Sequence, residues 1–164
     1  MTNAYDNLGT VYHDLGDLPQ AKECHDRALT IRLKKLGSDH VDVSNAYDNL
    51  GTVYHDLRDL PKAKECHDRA LAIRLKKLGP EHVDVANAYD NLGTVHHDLG
   101  DLQQGKECHD LALAIRLKKL GADHVDVANS YNNLGTVHRA LGDLQQAKEF
   151  HDRALTIGLK KLRP

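Results

Sequence analysis

Serine, cysteine and long apolar runs are all scarce in this 164-residue chain, and each scarcity removes a class of function. The only serines are Ser38, Ser44 and Ser130, and none stands in a G-x-S-x-G elbow. Neither a phosphate loop nor a dinucleotide-binding glycine pattern occurs, so catalysis has no foothold and no cofactor is expected. His13 and Asp14 adjoin, but no nucleophile or closed pocket accompanies them, and no catalytic residue is assigned. No apolar run reaches 18 residues, which excludes a transmembrane helix. The opening Met1-Thr2-Asn3 has neither the basic nor the apolar part of a signal peptide. Lys and Arg number 22 against 24 Asp and Glu, interleaved, for a net charge of −2. Nucleic acid, which is bound by a basic stripe, is therefore not an expected partner, nor is a membrane.

The three cysteines, Cys24, Cys66 and Cys108, are spaced by 42 residues, and Phe150 takes the fourth place in that series. A position that accepts Cys or Phe is an apolar packing site. Helices in neighbouring stacked units lie roughly 10 Å apart, whereas disulfide partners need Cα atoms within about 7 Å. Free thiols and a reducing, cytoplasmic compartment are expected.

What is present is repetition. Asn3-Ala4-Tyr5-Asp6-Asn7-Leu8-Gly9-Thr10-Val11 returns from Asn45 and from Asn87, and an edited version starts at Asn129. Residues 3–44 and 45–86 differ at six of 42 positions. A fixed period of this length means stacked supersecondary units, each too small to bury its apolar face alone. The chain divides into units 3–44, 45–86, 87–128 and 129–164 of a single domain spanning 1–164.

Each unit reads as two helices. Ala46, Leu50, Val53, Tyr54 and Leu57 trace one face of a 3.6-residue helix, and Leu60, Ala63, Cys66, Ala70, Ile73 and Leu78 trace a second. Between them Gly16 suits a left-handed helix end, Asp17 an N-cap and Pro19 a first turn. Arg58 replaces that glycine in the second unit, at a cost of about 1 kcal/mol if the left-handed geometry is kept. Lys34-Lys35-Leu36-Gly37 ends the second helix, with cations beside its negative pole. The spacing predicts helices over 2–15, 18–36, 41–57, 60–78, 83–99, 102–120, 125–141 and 144–162.

Leu8-Gly9, Tyr12, the Gly16-Asp17 turn, Ala21 and Ala28-Leu29 resemble the tetratricopeptide signature. The longer period, with Asn-Leu-Gly, Ala-Lys-Glu, Arg-Ala-Leu-Thr-Ile-Arg and Gly-Ser-Asp-His-Val-Asp-Val, is similar to the 42-residue repeats of kinesin light chains. The resemblance spans residues 3–164. It implies an all-α fold, a right-handed α-solenoid of four stacked helix-turn-helix repeats and eight helices. Gly9, Ala21 and Ala28 would let the helices of a unit approach closely. It also implies a protein–protein interaction module, part of an adaptor, scaffold or sensor, whose concave groove is walled by the first helix of each unit.

On that resemblance the groove is lined by Asn3, Asp6, Asn7, Thr10, His13 and Asp14. The second unit gives Asn45, Asp48, Asn49, Thr52, His55 and Asp56, and the third Asn87, Asp90, Asn91, Thr94, His97 and Asp98. The fourth gives Asn129, Asn132, Asn133, Thr136 and Arg139, with Ala140 in the last place. Asn and Thr can bond a peptide backbone, and Asp attracts cations. No groove residue but Arg139 is basic, so the expected partner is a protein or peptide segment of neutral to basic character. The alternative is a structural array: apolar end faces without a polar capping helix would stack head-to-tail on other copies, as in a fragment of a longer repeat protein.

Twelve histidines occupy few repeat positions: 13/55/97, 25/67/109/151, 40/82/124, and 96/138 where earlier units have Tyr12 and Tyr54. No H-x-x-x-H pair occurs and equivalent rings lie too far apart to share zinc, so no metal is expected. The Tyr/His exchange marks a half-buried ring with a polar tip, and His40 and its equivalents should satisfy backbone groups at the next helix start. Protonating all twelve would carry the net charge from −2 to +10. Any histidine buried neutral should make the fold acid-sensitive.

Overall fold

The computed structural model describes residues 2–161, and those residues form eight α-helices in four consecutive pairs. They are α1 Thr2–Asp14, α2 Leu18–Leu36, α3 Val41–Asp56, α4 Leu60–Leu78, α5 Val83–Leu99, α6 Leu102–Leu120, α7 Val125–Ala140 and α8 Leu144–Lys161. Each matches its expected span to within a residue, while Leu162 lies outside the described residues. No strand occurs among them.

The punctuation works as its chemistry requires. Asp17 and Asp59 cap α2 and α4 by accepting from the backbone N–H of Gln20 and Lys62, at 3.3 and 3.4 Å. Asp143 caps α8 through Gln146 at 3.1 Å, whereas Asp101 makes no such bond. The turn after α1 holds Gly16 at φ +80°, and Arg58 is forced into the same left-handed region at φ +62°. That geometry disfavours a side chain by roughly 1–2 kcal/mol, so the second unit carries local strain that the others avoid. The linker histidines have the role expected of them. Nδ1 of His40, His82 and His124 accepts the backbone N–H two residues on, each at 3.1 Å, and so caps the next helix.

The chain forms two compact units, Met1–Gly79 and Pro80–Pro164. In the first, α1 packs on α2, α2 on α3 and α3 on α4; in the second, α5 packs on α6, α6 on α7 and α7 on α8. The cores are made of small side chains. Ala21, Ala28, Val43, Ala46, Ala63 and Ala70 are fully buried in the first, and Val85, Ala88, Ala112, Val127 and Leu134 in the second. Small residues let helix axes approach, and each buried Val or Leu adds roughly 1.5–3 kcal/mol. Cys24, Cys66 and Cys108 are all free. Burial pushes the Cys66 thiol up to about 11, so it is inert at neutral pH. Phe150, at the same repeat position, lies 6.0 Å from the Tyr131 ring and 5.2 Å from His138.

Candidate functional site

The helices of a pair meet at a glycine and a histidine. The ring of His25 on α2 lies so close to Gly9 on α1 that a Cβ there would sit 2.8 Å from it. The same contact is 2.6 Å for Gly51 with His67, 2.6 Å for Gly93 with His109 and 2.7 Å for Gly135 with His151. His25, His67 and His109 are 2–3 % exposed. The expectation that Gly9 permits close approach is thereby given its partner.

Each buried ring turns Nδ1 toward an aspartate on the first helix: 3.5 Å to Asp6, 2.8 Å to Asp48 and 2.7 Å to Asp90. A carboxylate only accepts, so Nδ1 is the donor toward it. The other carboxylate oxygen meets an arginine seven residues beyond the histidine. Arg32 lies 2.5 Å from Asp6, and Arg74 and Arg116 pair with Asp48 and Asp90. Arg74 also donates to Asn45 Oδ1 at 2.9 Å and Arg116 to Asn87 Oδ1 at 2.8 Å. Arg116 reaches on to Ser130 Oγ of α7 at 2.6 Å, which ties the third repeat to the fourth.

These contacts correct the acidic groove. Asp6, Asp48 and Asp90 are 12–13 % exposed and face guanidinium groups, so they do not offer free negative charge. The basic residues come from the second helix of each pair, where a search confined to the first helix does not find them. A signal for them exists in the sequence. In the fourth repeat Asp becomes Asn132 and Arg becomes Gly158 together, while His151 stays. There the charged pair is gone, and His151 keeps only Asn132 Oδ1, at 3.1 Å.

Burial outweighs the pull of Asp6 and lowers the affinity of His25 for a proton. A folded value below the unfolded one means that the stabilisation is complete above about pH 6.5. It is lost as pH falls through that value toward the lower folded one. The melting temperature should therefore drop between pH 7.5 and 5.5 in thermal scans, and less so in His25→Asn. Coincident melts at the two pH values would show that the ring is not buried neutral. At the Tyr/His position His96 is partly buried, as expected, whereas His138 is buried outright, and each Nδ1 lies 3.6 Å from an aspartate, Asp101 and Asp143.

Nine of the expected groove residues line two like pockets. One, of about 160 Å³, is walled by Thr10 and His13 of α1 and by Asn49, Thr52 and Val53 of α3, with His25 below. The other, of about 250 Å³, has Thr94, His97 and Asp98 of α5, Asn133, Thr136 and Val137 of α7, and His109 below. The threonine hydroxyls are committed as donors, since Thr10, Thr52, Thr94 and Thr136 donate to backbone oxygens four residues back at 3.0–3.1 Å. The side-chain amides of Asn49 and Asn133 make no hydrogen bond within the described residues. Asn3, Asn7 and Asn129 are exposed and Asn91 half-buried. Asp56 is held by His13 at 2.6 Å and by His55 at 3.3 Å. Burial opposes its charge, but these bonds keep its carboxyl below the usual range. Asp14 is exposed, and Arg139 has no ion pair among the described residues. No cluster of three or more His, Cys, Asp or Glu in the described residues could hold a metal.

Paired helices on a 42-residue period, joined by a glycine–histidine contact, define a helical repeat protein that presents a surface. The tetratricopeptide repeat family model matches residues 1–76, 44–104 and 84–160. The chain belongs to the tetratricopeptide repeat family. It is similar in structure to BtubC (BKLC) from P. vanneervenii, with 29 % identity and a TM-score of 0.88 over 99 % of this chain and 66 % of that one. It is also similar to a Podosopora anserina putative kinesin light chain with nearly identical repeats. That match has 25 % identity and a TM-score of 0.85 over 98 % and 76 % of the two chains. MamA, at 20 % identity and a TM-score of 0.69 over 98 % and 80 %, shares the fold. No curated protein matches the sequence. The chain thus spans just under two thirds of the length of BtubC. No helix of the described residues is long and apolar enough to cross a membrane.

Proposed function

We propose that this chain is a cytoplasmic, non-enzymatic interaction module that takes a neutral peptide segment along the face of its first helices. Tetratricopeptide repeats generally mediate protein–protein interactions. The observation that carries the reading is the recurrence of one pocket, between α1 and α3 and again between α5 and α7, from the same repeat positions. In each, an asparagine amide is free both to donate and to accept, which matches the donor and acceptor of a peptide backbone. A basic ligand is disfavoured, because the aspartates that would have drawn it are paired with arginines.

A peptide-display library selected against the protein supplies ligands for the test. In nuclear magnetic resonance titrations those ligands should shift the side-chain amide signals of Asn49 and Asn133. Replacing either residue by alanine should weaken binding about three- to tenfold, the loss of one hydrogen bond. Ligands that bind equally well to both variants and leave these signals unmoved would sink the proposal.

A further inference from the structure

One surface position breaks the pattern of the second helices. Arg27 of α2, Arg69 of α4 and Arg153 of α8 stand at the same repeat position, and the third repeat has Leu111 of α6 there. Each arginine covers a tyrosine of the preceding helix. The guanidinium lies 5.7 Å from the Tyr5 ring, 5.5 Å from Tyr47 and 5.7 Å from Tyr131. Arg27 and Arg69 also hold the glutamate one turn back, Glu23 at 2.5 Å and Glu65 at 2.7 Å. The third repeat keeps the tyrosine and the glutamate, as Tyr89 and Glu107, without the group that joins them elsewhere.

That leaves a surface of defined chemistry. Among the described residues no cation lies over the Tyr89 ring, and Glu107 has only the Gln103 amide, at 3.2 Å. The neighbouring charges cancel, since Lys106 pairs with Asp110 at 2.7 Å as in the other repeats. The charge of Glu107 is therefore left uncompensated on α6. Leu111 beside it is 47 % exposed. Arg27 and Arg69 are about as open, at 56 % and 55 %. The fold covers this position in none of these repeats, so a leucine here gains little for the core.

We propose that Tyr89, Glu107 and Leu111 form a docking point for an arginine supplied by a partner protein. The guanidinium stacks on Tyr89 and pairs with Glu107, as Arg69 does with Tyr47 and Glu65, while its methylene stem lies along Leu111. Lysine fits less well, because a compact ammonium cannot both stack on a ring and fork toward a carboxylate. The point is separate from the peptide-binding pockets, which are built from first helices and do not include Tyr89.

The blocked tripeptide Ala-Arg-Ala is the probe. In nuclear magnetic resonance titrations it should shift the Tyr89 ring and Leu111 methyl signals, with a dissociation constant on the order of 1 mM. The Tyr47 ring, already covered by Arg69, should not respond, and neither should Tyr89 when the probe is Ala-Gln-Ala. Glu107→Gln should weaken binding about threefold. Leu111→Arg rebuilds the arrangement of the other repeats, so it keeps the fold and should abolish the shifts at Tyr89. Asn133→Ala should bind the probe as the parent does, which separates this point from the peptide pockets. No shift at Tyr89 and Leu111 up to about 10 mM probe overturns the proposal. So do an equal response to Ala-Gln-Ala, an equal response at Tyr47, and unaltered binding by either α6 variant.

Discussion

Gly51→Ala should destabilise the protein by about 3 kcal/mol, although the same change on an exposed helix would stabilise it by about 1. The sign is what decides. Alanine is the better helix former, so only a steric conflict across the α3–α4 contact can reverse the outcome. That conflict is severe: a Cβ at Gly51 would stand 2.6 Å from both Cε1 and Nε2 of His67, a distance at which something must move. The ring has little room to give, being 3 % exposed and held by Asp48 at 2.8 Å. The helices must separate, and the alanine-lined contact around Ala63 and Ala70 opens with them. Urea unfolding should show the loss as a lower midpoint at unchanged slope. Repeating the substitution in a His67→Ala background removes the obstacle, and Gly51→Ala should then be neutral or stabilising. A stabilising effect in the unmodified chain would mean that the helices are not in contact at this point.

The helices were legible in the sequence because their signals are local. Period, caps and left-handed positions act over a few residues, and the Gly16/Arg58 exchange could even be read as strain before φ was known. The apolar role of the Cys24 series could be read because Phe150 takes the same place. The groove was legible only in part. Its residues were chosen by their place on the first helix, and Thr10, Asn49 and Thr52 do meet across a pocket. Whether Asp48 stands free depends on Arg74, 26 residues away on another helix, and no local pattern carries that distance. The trace it left was the paired change to Asn132 and Gly158, which is informative only when both positions are read as one unit. The threonine donors are hidden from the sequence for a related reason. A hydroxyl on a helix can turn back to the carbonyl one turn earlier, and here each one does.

Arg74→Ala should be among the most damaging single changes in the chain, at about 3–5 kcal/mol, because it strands Asp48 without its cation. Asp48 is 13 % exposed, too little for water to take over the role of the guanidinium. Asp48→Asn alone should also be costly, since it leaves Arg74 buried at 6 % exposure with a weaker acceptor. The double variant should lose far less than the sum of the two, with a coupling of about 2–3 kcal/mol. The fourth repeat is the precedent, having given up both charges at once while α7 and α8 stay packed. Denaturant unfolding of the four proteins in this cycle gives the coupling directly, and additive effects below about 1 kcal/mol each would show that the pair is not a unit. The magnitude bears on function. A cationic peptide that recruited Asp48 would have to displace Arg74, and about 3–5 kcal/mol corresponds to a penalty of about two to four powers of ten in affinity. The uncommitted amides of Asn49 and Asn133 carry no such penalty, which is why the proposed ligand is read by its backbone rather than by its charge.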